Sequence, residues 1–148
     1  MRIKIINGPN LNMLGKRQPE IYGSLSFEAY FATLEATFNG HELSYFQSNH
    51  EGAIIDTIQE LVNGTYDGLV INPAAYTHTS IAIADALAML TIPVAEVHIS
   101  NIYEREAFRQ HSFVHPVAAV TIAGKGLDGY KMAIECLLDK HENKHTLS

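Results

Sequence analysis

Glu96 and His98, two positions apart in the run Val94–Ile99, are the pair of residues best suited to acid–base chemistry. Side chains two apart on a β-strand point to the same face, so the spacing predicts contact between the carboxylate and the imidazole. A carboxylate beside an imidazole stabilises the protonated ring and fixes its tautomer, as a general acid requires. A structural pair at a strand end is the alternative, since ion pairs without a catalytic role also occur.

Arg105 and Arg109 follow within a predicted short helix, Glu104–His111. Their four-residue spacing places both guanidinium groups on one helical face, close to the end of the strand that carries His98. Guanidinium groups are typical of carboxylate sites, because they bind both carboxylate oxygens through parallel hydrogen bonds. The sequence therefore indicates an anionic ligand, with a solvated helix face as the alternative.

The segment Asn7–Gly23, NGPNLNMLGKRQPEIYG, carries Lys16, Arg17, Glu20 and Tyr22, which are groups that a reaction could use. It is longer than most strand-to-helix connections, and its many Gly, Pro and Asn residues disfavour a hidden helix. Long loops of this kind are usually lids or binding loops. A surface connection with incidental charges is the alternative.

Two further polar groups follow the third predicted strand, Gly68–Asn72. Asn72 ends that strand, and its amide is suited either to a turn or to hydrogen bonding with a hydroxylated ligand. His78 lies just before a helix, whose N-terminus attracts anions. Thr79 or Ser80 would cap the same helix, and that structural role is compatible with ligand binding.

Two short segments resemble known motifs without meeting their requirements. Gly8–Arg17 resembles a phosphate-binding loop, but six residues rather than four separate its glycines, and Arg17 stands where Ser or Thr is needed. His141–His145, HENKH, matches the zinc-protease pattern. It lies within residues 141–148, which we expect to be a frayed tail, and no later residue supplies the third protein ligand of a catalytic zinc. Neither a metal nor a cofactor is therefore predicted.

The elements that must position these residues alternate between apolar strands and amphipathic helices. The predicted strands are Ile3–Ile6, Glu42–Gln47, Gly68–Asn72, Val94–Ile99 and Ala118–Ile122, and the predicted helices are Ser26–Asn39, Gly52–Asn63, Ser80–Leu90, Glu104–His111 and Leu127–Lys140. This alternation predicts an α/β fold, namely a flavodoxin-like five-stranded parallel sheet with helices on both faces. Ligands bind such sheets at the carboxyl ends of the strands. The polar groups that follow the first, third and fourth strands would share that edge, which predicts a single active site.

Size and composition indicate one globular domain, residues 1–148. The net charge of −6, without a basic cluster, disfavours nucleic-acid binding. The longest apolar tract, Ser80–Val97, contains Asp85 and Glu96, so no membrane span is expected. The single cysteine, Cys136, is interpreted as a small buried residue, and no signal peptide is visible. A cytoplasmic protein is therefore expected.

Three segments of the chain, NGPNLNMLGKRQPEIYG, INPAAYTHTS and EVHISNIYEREAFRQHS, resemble those of the type II 3-dehydroquinate dehydratases, and the likeness runs from Ile3 to about Lys140. The resemblance implies a flavodoxin-like subunit that converts 3-dehydroquinate to 3-dehydroshikimate by cofactor-free anti elimination of water through an enolate, a step of the shikimate pathway. It also implies a homo-oligomer, a dodecamer built from trimers. Gln18 departs from the Glu that the family usually has, and Pro73–Tyr76 departs slightly from its more frequent Ala/Gly run.

The resemblance also implies a role for each site residue. Tyr22 is expected to remove a proton next to the ketone, with Arg17 as the lid residue that stabilises the tyrosinate and the enolate. His98, supported by Glu96, is expected to protonate the departing hydroxyl. The other implied residues are Asn10 and Arg105 as helpers, Asn72, His78, Ile99, Ser100 and Arg109 as substrate contacts, and Asp85 as a residue reaching into the site of an adjacent subunit.

A non-catalytic flavodoxin-like ligand-binding or signalling module is the alternative function. A phospho-receiver would need aspartates after the first strand, where Asn7, Gly8 and Pro9 stand. A flavin carrier would usually show a Ser/Thr/Gly phosphate loop there, whereas this loop is long and basic.

Overall fold

The computed structural model describes residues 1–16, Glu20 and 24–147, with side chains as far as residue 143. Five strands form one parallel sheet in the order β2-β1-β3-β4-β5, which confirms the predicted flavodoxin-like arrangement. The strands are β1 (Arg2–Asn7), β2 (Glu42–Gln47), β3 (Gly68–Asn72), β4 (Val94–His98) and β5 (Val120–Ala123). Asn7 and Asn72 are directly paired where β1 and β3 end. The direction of strand addition reverses between these two strands, and such a reversal opens a crevice at the carboxyl edge.

Four α-helices in the described part of the chain cover the sheet, and they are α1 (Phe27–Thr37), α2 (Glu51–Val62), α3 (Ile81–Ala88) and α4 (Asp128–Leu147). Alternation along the strands divides the core in two, because successive strand residues face opposite sides. Val70 packs with α1 and α4 on one face, whereas its neighbours Leu69 and Ile71 pack with α2 and α3 on the other. None of the described helices is both long and apolar enough to cross a membrane.

Serine caps fix where two of these helices begin. The Ser26 Oγ accepts a hydrogen bond from the Ala29 N–H at the start of α1, at 3.2 Å. The Ser80 Oγ accepts from the Ile83 N–H at the start of α3, at 2.9 Å, so the capping role expected near His78 is confirmed for Ser80. Each cap satisfies a backbone donor that the helix itself leaves unpaired.

The predicted helix Glu104–His111 is wrong. Two short 3₁₀ turns replace it, Ile102–Glu104 and Ala107–Arg109. Arg105 and Glu106 between them have extended backbones, with ψ of −168° and 148°, so the helical hydrogen-bond pattern cannot continue. The four-residue spacing of the two arginines therefore does not place them on one helical face.

The last helix and the cysteine also differ from expectation. Helix α4 continues to Leu147, beyond the predicted end at Lys140. Cys136, on that helix, is half-buried rather than buried.

Candidate active site

A cleft of about 150 Å³ opens at the carboxyl edge of the sheet, at the point where the strand order reverses. The segments that follow β1, β3 and β4 form its walls. Its lining contains eight of the residues predicted from the sequence, namely Asn10, Asn72, His78, His98, Ile99, Ser100, Arg105 and Arg109, together with Pro9, Leu11, Ala74, Ala75 and Ile102. The structure thus brings polar groups from three separate stretches of chain into one cavity.

Close backbone contact holds the first two walls together. The Gly8 N–H donates to the Asn72 carbonyl oxygen at 2.8 Å. A Cβ atom at Gly8 would lie 2.4 Å from the Pro73 carbonyl oxygen, so only glycine allows this approach. Ala74, next in the wall, has φ of +54°, which is unusual for a residue with a side chain.

The loop after β2 braces the same walls, and the sequence analysis did not identify it. The Asn49 Oδ1 accepts from the backbone N–H of Asn10 at 2.9 Å. The Asn49 carbonyl oxygen accepts from the Tyr76 hydroxyl at 2.8 Å. Gln47 joins this network by donating from Nε2 to the Gly8 carbonyl oxygen at 3.1 Å.

The predicted contact between Glu96 and His98 is confirmed. His98 Nε2 donates to Glu96 Oε2 at 2.6 Å, and the two side chains are 4% and 0% exposed, respectively. This bond occupies Nε2 and leaves Nδ1 as the ring nitrogen available to a ligand in the cleft. In the neutral ring the proton therefore lies on Nε2, and His98 donates from Nδ1 only as the imidazolium, which Glu96 stabilises.

Two hydroxyl groups complete the environment of the Glu96 carboxylate. The Ser112 Oγ donates to Oε2 at 2.6 Å and the Thr121 Oγ1 donates to Oε1 at 3.0 Å. Burial alone raises the pKa of Glu96, but the hydrogen bond and charge of His98, with these hydroxyls, outweigh it and lower the pKa. Glu96 is therefore a carboxylate at neutral pH, and it stabilises a positive charge on His98.

His78 lies in the cleft as a neutral imidazole. Burial lowers its pKa, as do the positive charges of His98, Arg109 and Arg105, and these effects outweigh the opposing hydrogen bond to the His111 backbone. His78 Nδ1 lies 2.8 Å from the His111 carbonyl oxygen, which can only accept, so Nδ1 carries the ring proton. Nε2 is then an acceptor suited to a ligand hydroxyl.

Arg105 and Arg109 both line the cleft, and the Glu106 carboxylate lies close to both side chains. The Arg109 Nε lies 2.8 Å from Glu106 Oε2, and the Arg105 Nε lies 3.9 Å from the same oxygen. The Glu106 backbone N–H and then the two arginines lower the pKa of this exposed carboxyl. Both arginine side chains are half-buried, which strengthens their attraction for an anion relative to a fully exposed cation.

Arg17 and Tyr22, two of the predicted site residues, lie outside the described residues. Asp85 is exposed on α3 and does not line the cleft. It lies in a row with two exposed apolar side chains, Ile81 at 58% and Met89 at 50%.

Ser112, Thr121 and Glu106 were missed by the sequence analysis. Ser112 and Thr121 lie 16 and 25 residues from Glu96, and no local spacing relates them to it. Of the three, only Glu106 could have been identified from the sequence. It lies between the two arginines, and a carboxylate so close in sequence is a natural ion-pair partner. Within the residues described, no three His, Cys, Asp or Glu side chains come together as a metal site would need.

Comparison with known proteins gives consistent matches. The family model described as Dehydroquinase class II matches residues 1–138, which include all five strands. A 3-dehydroquinate dehydratase of Aliarcobacter butzleri (strain RM4018) is 54% identical over 140 residues, covering 93% of this chain and 85% of the relative. That of Herminiimonas arsenicoxydans is 49% identical, covering 93% and 97%. The crystal structure of type II dehydroquinase from Butyrivibrio crossotus DSM 2876 matches with a TM-score of 0.88 at 51% identity, covering 93% of this chain and 97% of that one.

Proposed function

The chain belongs to the class II dehydroquinase family and is a 3-dehydroquinate dehydratase, and we propose how its residues share the reaction. The reaction removes water from 3-dehydroquinate to give 3-dehydroshikimate. The observation that carries the assignment of roles is the buried Glu96–His98 pair in a cleft that also contains two arginines.

The arginine side of the cleft binds the substrate carboxylate. Arg109 and Arg105 supply donors with fixed positive charge, and carboxylates are the ligands that such donors pair with best. Neutral His78 accepts a hydrogen bond from a substrate hydroxyl at Nε2, and the Asn72 amide binds another. Together with Asn10, Ile99 and Ser100, these groups orient the ring so that the carbon bearing the departing hydroxyl faces His98.

Tyr22 is the proposed base, and its phenolate removes the proton next to the ketone. A tyrosine is almost wholly protonated at neutral pH, a deficit of about 4 kcal/mol for a base. A cation within a few ångströms typically recovers about 1.4–4 kcal/mol of such a deficit. Arg17, five positions earlier in the sequence, is the proposed cation. It also stabilises the enolate that forms when the C–H bond breaks.

His98 is the proposed acid. The enolate reforms the ketone as the carbon–oxygen bond to the hydroxyl breaks, and the His98 Nδ1 proton joins the departing oxygen to give water. Glu96 keeps its negative charge throughout and stabilises the imidazolium before the transfer. The proton on Tyr22 then returns to His98, directly or through water, so the enzyme ends the cycle unchanged.

An ultraviolet assay with 3-dehydroquinate tests this function, because the product contains a conjugated enone that the substrate lacks. Turnover should survive exhaustive chelation, since none of the proposed steps requires a metal. Loss of turnover on chelation, with recovery on adding zinc, would refute the proposal and direct attention to His141–His145. A purified protein without turnover would favour the ligand-binding alternative.

Assembly and location complete the proposal. We propose that the exposed row of Ile81, Asp85 and Met89 packs against a neighbouring subunit, so that Asp85 reaches the adjacent site within a trimer of the dodecamer. A carboxylate buried at such an interface needs a cationic partner, and Arg109 of the adjacent cleft is suited to that role. As an enzyme of central metabolism, the protein is proposed to act in the cytoplasm.

A further inference from the structure

A fully buried tyrosine lies directly behind the cleft. Tyr130, in the first turn of α4, is 0% exposed, and its hydroxyl reaches the ends of β1 and β3. There it donates to Asn7 Oδ1 at 2.7 Å and accepts from Asn72 Nδ2 at 2.9 Å. Asn7 and Asn72 are themselves buried, so these hydrogen bonds form without competition from bulk water.

The direction of these bonds fixes the orientation of the Asn72 amide. Burial raises the pKa of Tyr130 well above its ordinary value, so the hydroxyl keeps its proton and gives it to Asn7. The Ala74 N–H can only donate, and it lies 3.1 Å from Asn72 Oδ1. The amide therefore has its oxygen toward Ala74 and its NH₂ toward Tyr130, and both ends of the side chain are held.

This orientation determines what Asn72 can offer a ligand. One of its two N–H bonds points to Tyr130, and the other remains for the cleft that Asn72 lines. A group that presents an N–H binds an acceptor oxygen of the substrate, whereas a flipped amide would present its carbonyl and bind a donor. The Ala74 N–H sets this orientation, and the Tyr130 hydroxyl holds the NH₂ end of the amide in it from behind the cleft.

We propose that Tyr130 is a positioning residue for the dehydration, acting through Asn72 on the binding of substrate. This inference rests on the proposed function. Tyr130 does not line the cleft, so its effect on the reaction passes through the amide that it orients. Asn72 binds the substrate in the ground state and in the transition state alike. Loss of the Tyr130 hydroxyl should therefore raise KM more than it lowers kcat.

The test replaces Tyr130 by phenylalanine in two backgrounds, wild type and Asn72→Ala. The control is Tyr30→Phe, which removes a hydroxyl from the same aromatic cluster, since the Tyr30 and Tyr130 rings lie 6.2 Å apart. In the wild-type background, Tyr130→Phe should raise KM about tenfold, equivalent to about 1.4 kcal/mol, with kcat changed less than KM. In the Asn72→Ala background, the same replacement should leave KM unchanged, because the amide through which it acts is gone. Tyr30→Phe should leave KM unchanged in both.

The positioning role is overturned if Tyr130→Phe has no effect on KM in the wild-type background, or if it raises KM equally in both backgrounds. Calorimetric titration with the product, 3-dehydroshikimate, makes the same comparison for any variant too slow to assay. If Tyr130→Phe does not fold, Asn7→Ala serves as the second variant. It removes the oxygen that accepts the Tyr130 hydrogen bond, so the hydroxyl is less firmly held. It should raise KM only when Asn72 is present. A wild-type protein that neither turned over the substrate nor bound the product would refute the proposed function as well. If the wild type is active but Tyr130→Phe raises KM equally in both backgrounds, only the positioning role is refuted.

Discussion

Replacing Glu96 by glutamine removes one negative charge from behind His98 and keeps the size of the side chain. The bond between His98 Nε2 and Glu96 Oε2 is 2.6 Å long, and the two side chains are 4% and 0% exposed. The Nε2–H group donates to Glu96 whether His98 is neutral or protonated, so glutamine removes only the attraction between the carboxylate charge and the imidazolium. Its loss disfavours the form of His98 that donates the proton.

Loss of this attraction changes the pH–rate profile. The alkaline fall in kcat should move toward lower pH, because the imidazolium loses its proton more readily without the carboxylate. At a pH on the alkaline side of the wild-type optimum, kcat should fall about 10- to 100-fold, part of what general acid catalysis contributes. The assay is the ultraviolet rate at saturating 3-dehydroquinate across the pH range over which the protein stays folded, as checked by circular dichroism.

A matched control separates this effect from a general loss of charge. Glu135→Gln makes the same chemical change at a side chain that is 52% exposed on α4 and 4.0 Å from Lys131. Its pH profile should match that of the wild type. A Glu96→Gln variant that keeps the wild-type alkaline midpoint and a kcat within about twofold would refute the role assigned to the pair.

Three other predictions concern stability and assembly. Folding lowers the pKa of Glu96, so the ionised carboxylate stabilises the fold above pH 4.5, its ordinary pKa, and this contribution is lost as the pH falls through the lower folded pKa. Urea denaturation should therefore show the difference in free energy of unfolding between wild type and Glu96→Gln shrinking in that acid range. A difference that stays constant with pH would contradict this. Gly8→Ala should lower the melting temperature and raise KM, because the added Cβ would lie 2.4 Å from the Pro73 carbonyl oxygen. Gly52→Ala is the control: its Cβ would have no atom within 4 Å, so it should be neutral or stabilising. Equal melting temperatures for the two variants would refute the close-approach argument. Asp85→Ala should weaken both substrate affinity and assembly, as measured by sedimentation at several concentrations beside the activity assay, and a variant unchanged in both would end the trimer proposal.

All five strands could be predicted, because their signal is local, although β5 begins at Val120, two residues after its predicted start, and β1 extends one residue beyond its predicted bounds at each end. Glu42–Gln47 and Gly68–Asn72 have the predicted bounds, and Val94–His98 ends one residue before its predicted end. Apolar runs bounded by turn residues need no information from elsewhere in the chain. The parallel arrangement brings polar groups that follow three strands to one edge of the sheet, so the cleft and five of its lining residues, Asn10, Asn72, His78, His98 and Ser100, were also predictable from the pattern. Ile99 was implied only by the family resemblance.

The errors and omissions arise where distant residues decide the outcome. The spacing of Arg105 and Arg109 suits a helix, but the extended backbone of Arg105 and Glu106 gives two short turns instead. Tyr130 is separated from Asn7 by 123 residues, and its spacing within α4 indicates only a buried helical face. A hydrogen bond across that separation depends on how α4 packs against the sheet, which sequence periodicity does not encode.

The separation of base from acid is the central claim, and hydrogen–deuterium exchange at the carbon next to the ketone tests it most directly. In heavy water, His98→Ala should still exchange the proton that dehydration removes, because Tyr22 can form the enolate even when the hydroxyl cannot leave. Tyr22→Phe should neither exchange that proton nor dehydrate the substrate. Nuclear magnetic resonance of 3-dehydroquinate incubated with each variant measures both events in one sample. Exchange with Tyr22→Phe, or its absence with a folded and substrate-binding His98→Ala, would contradict the assignment of Tyr22 as base and His98 as acid.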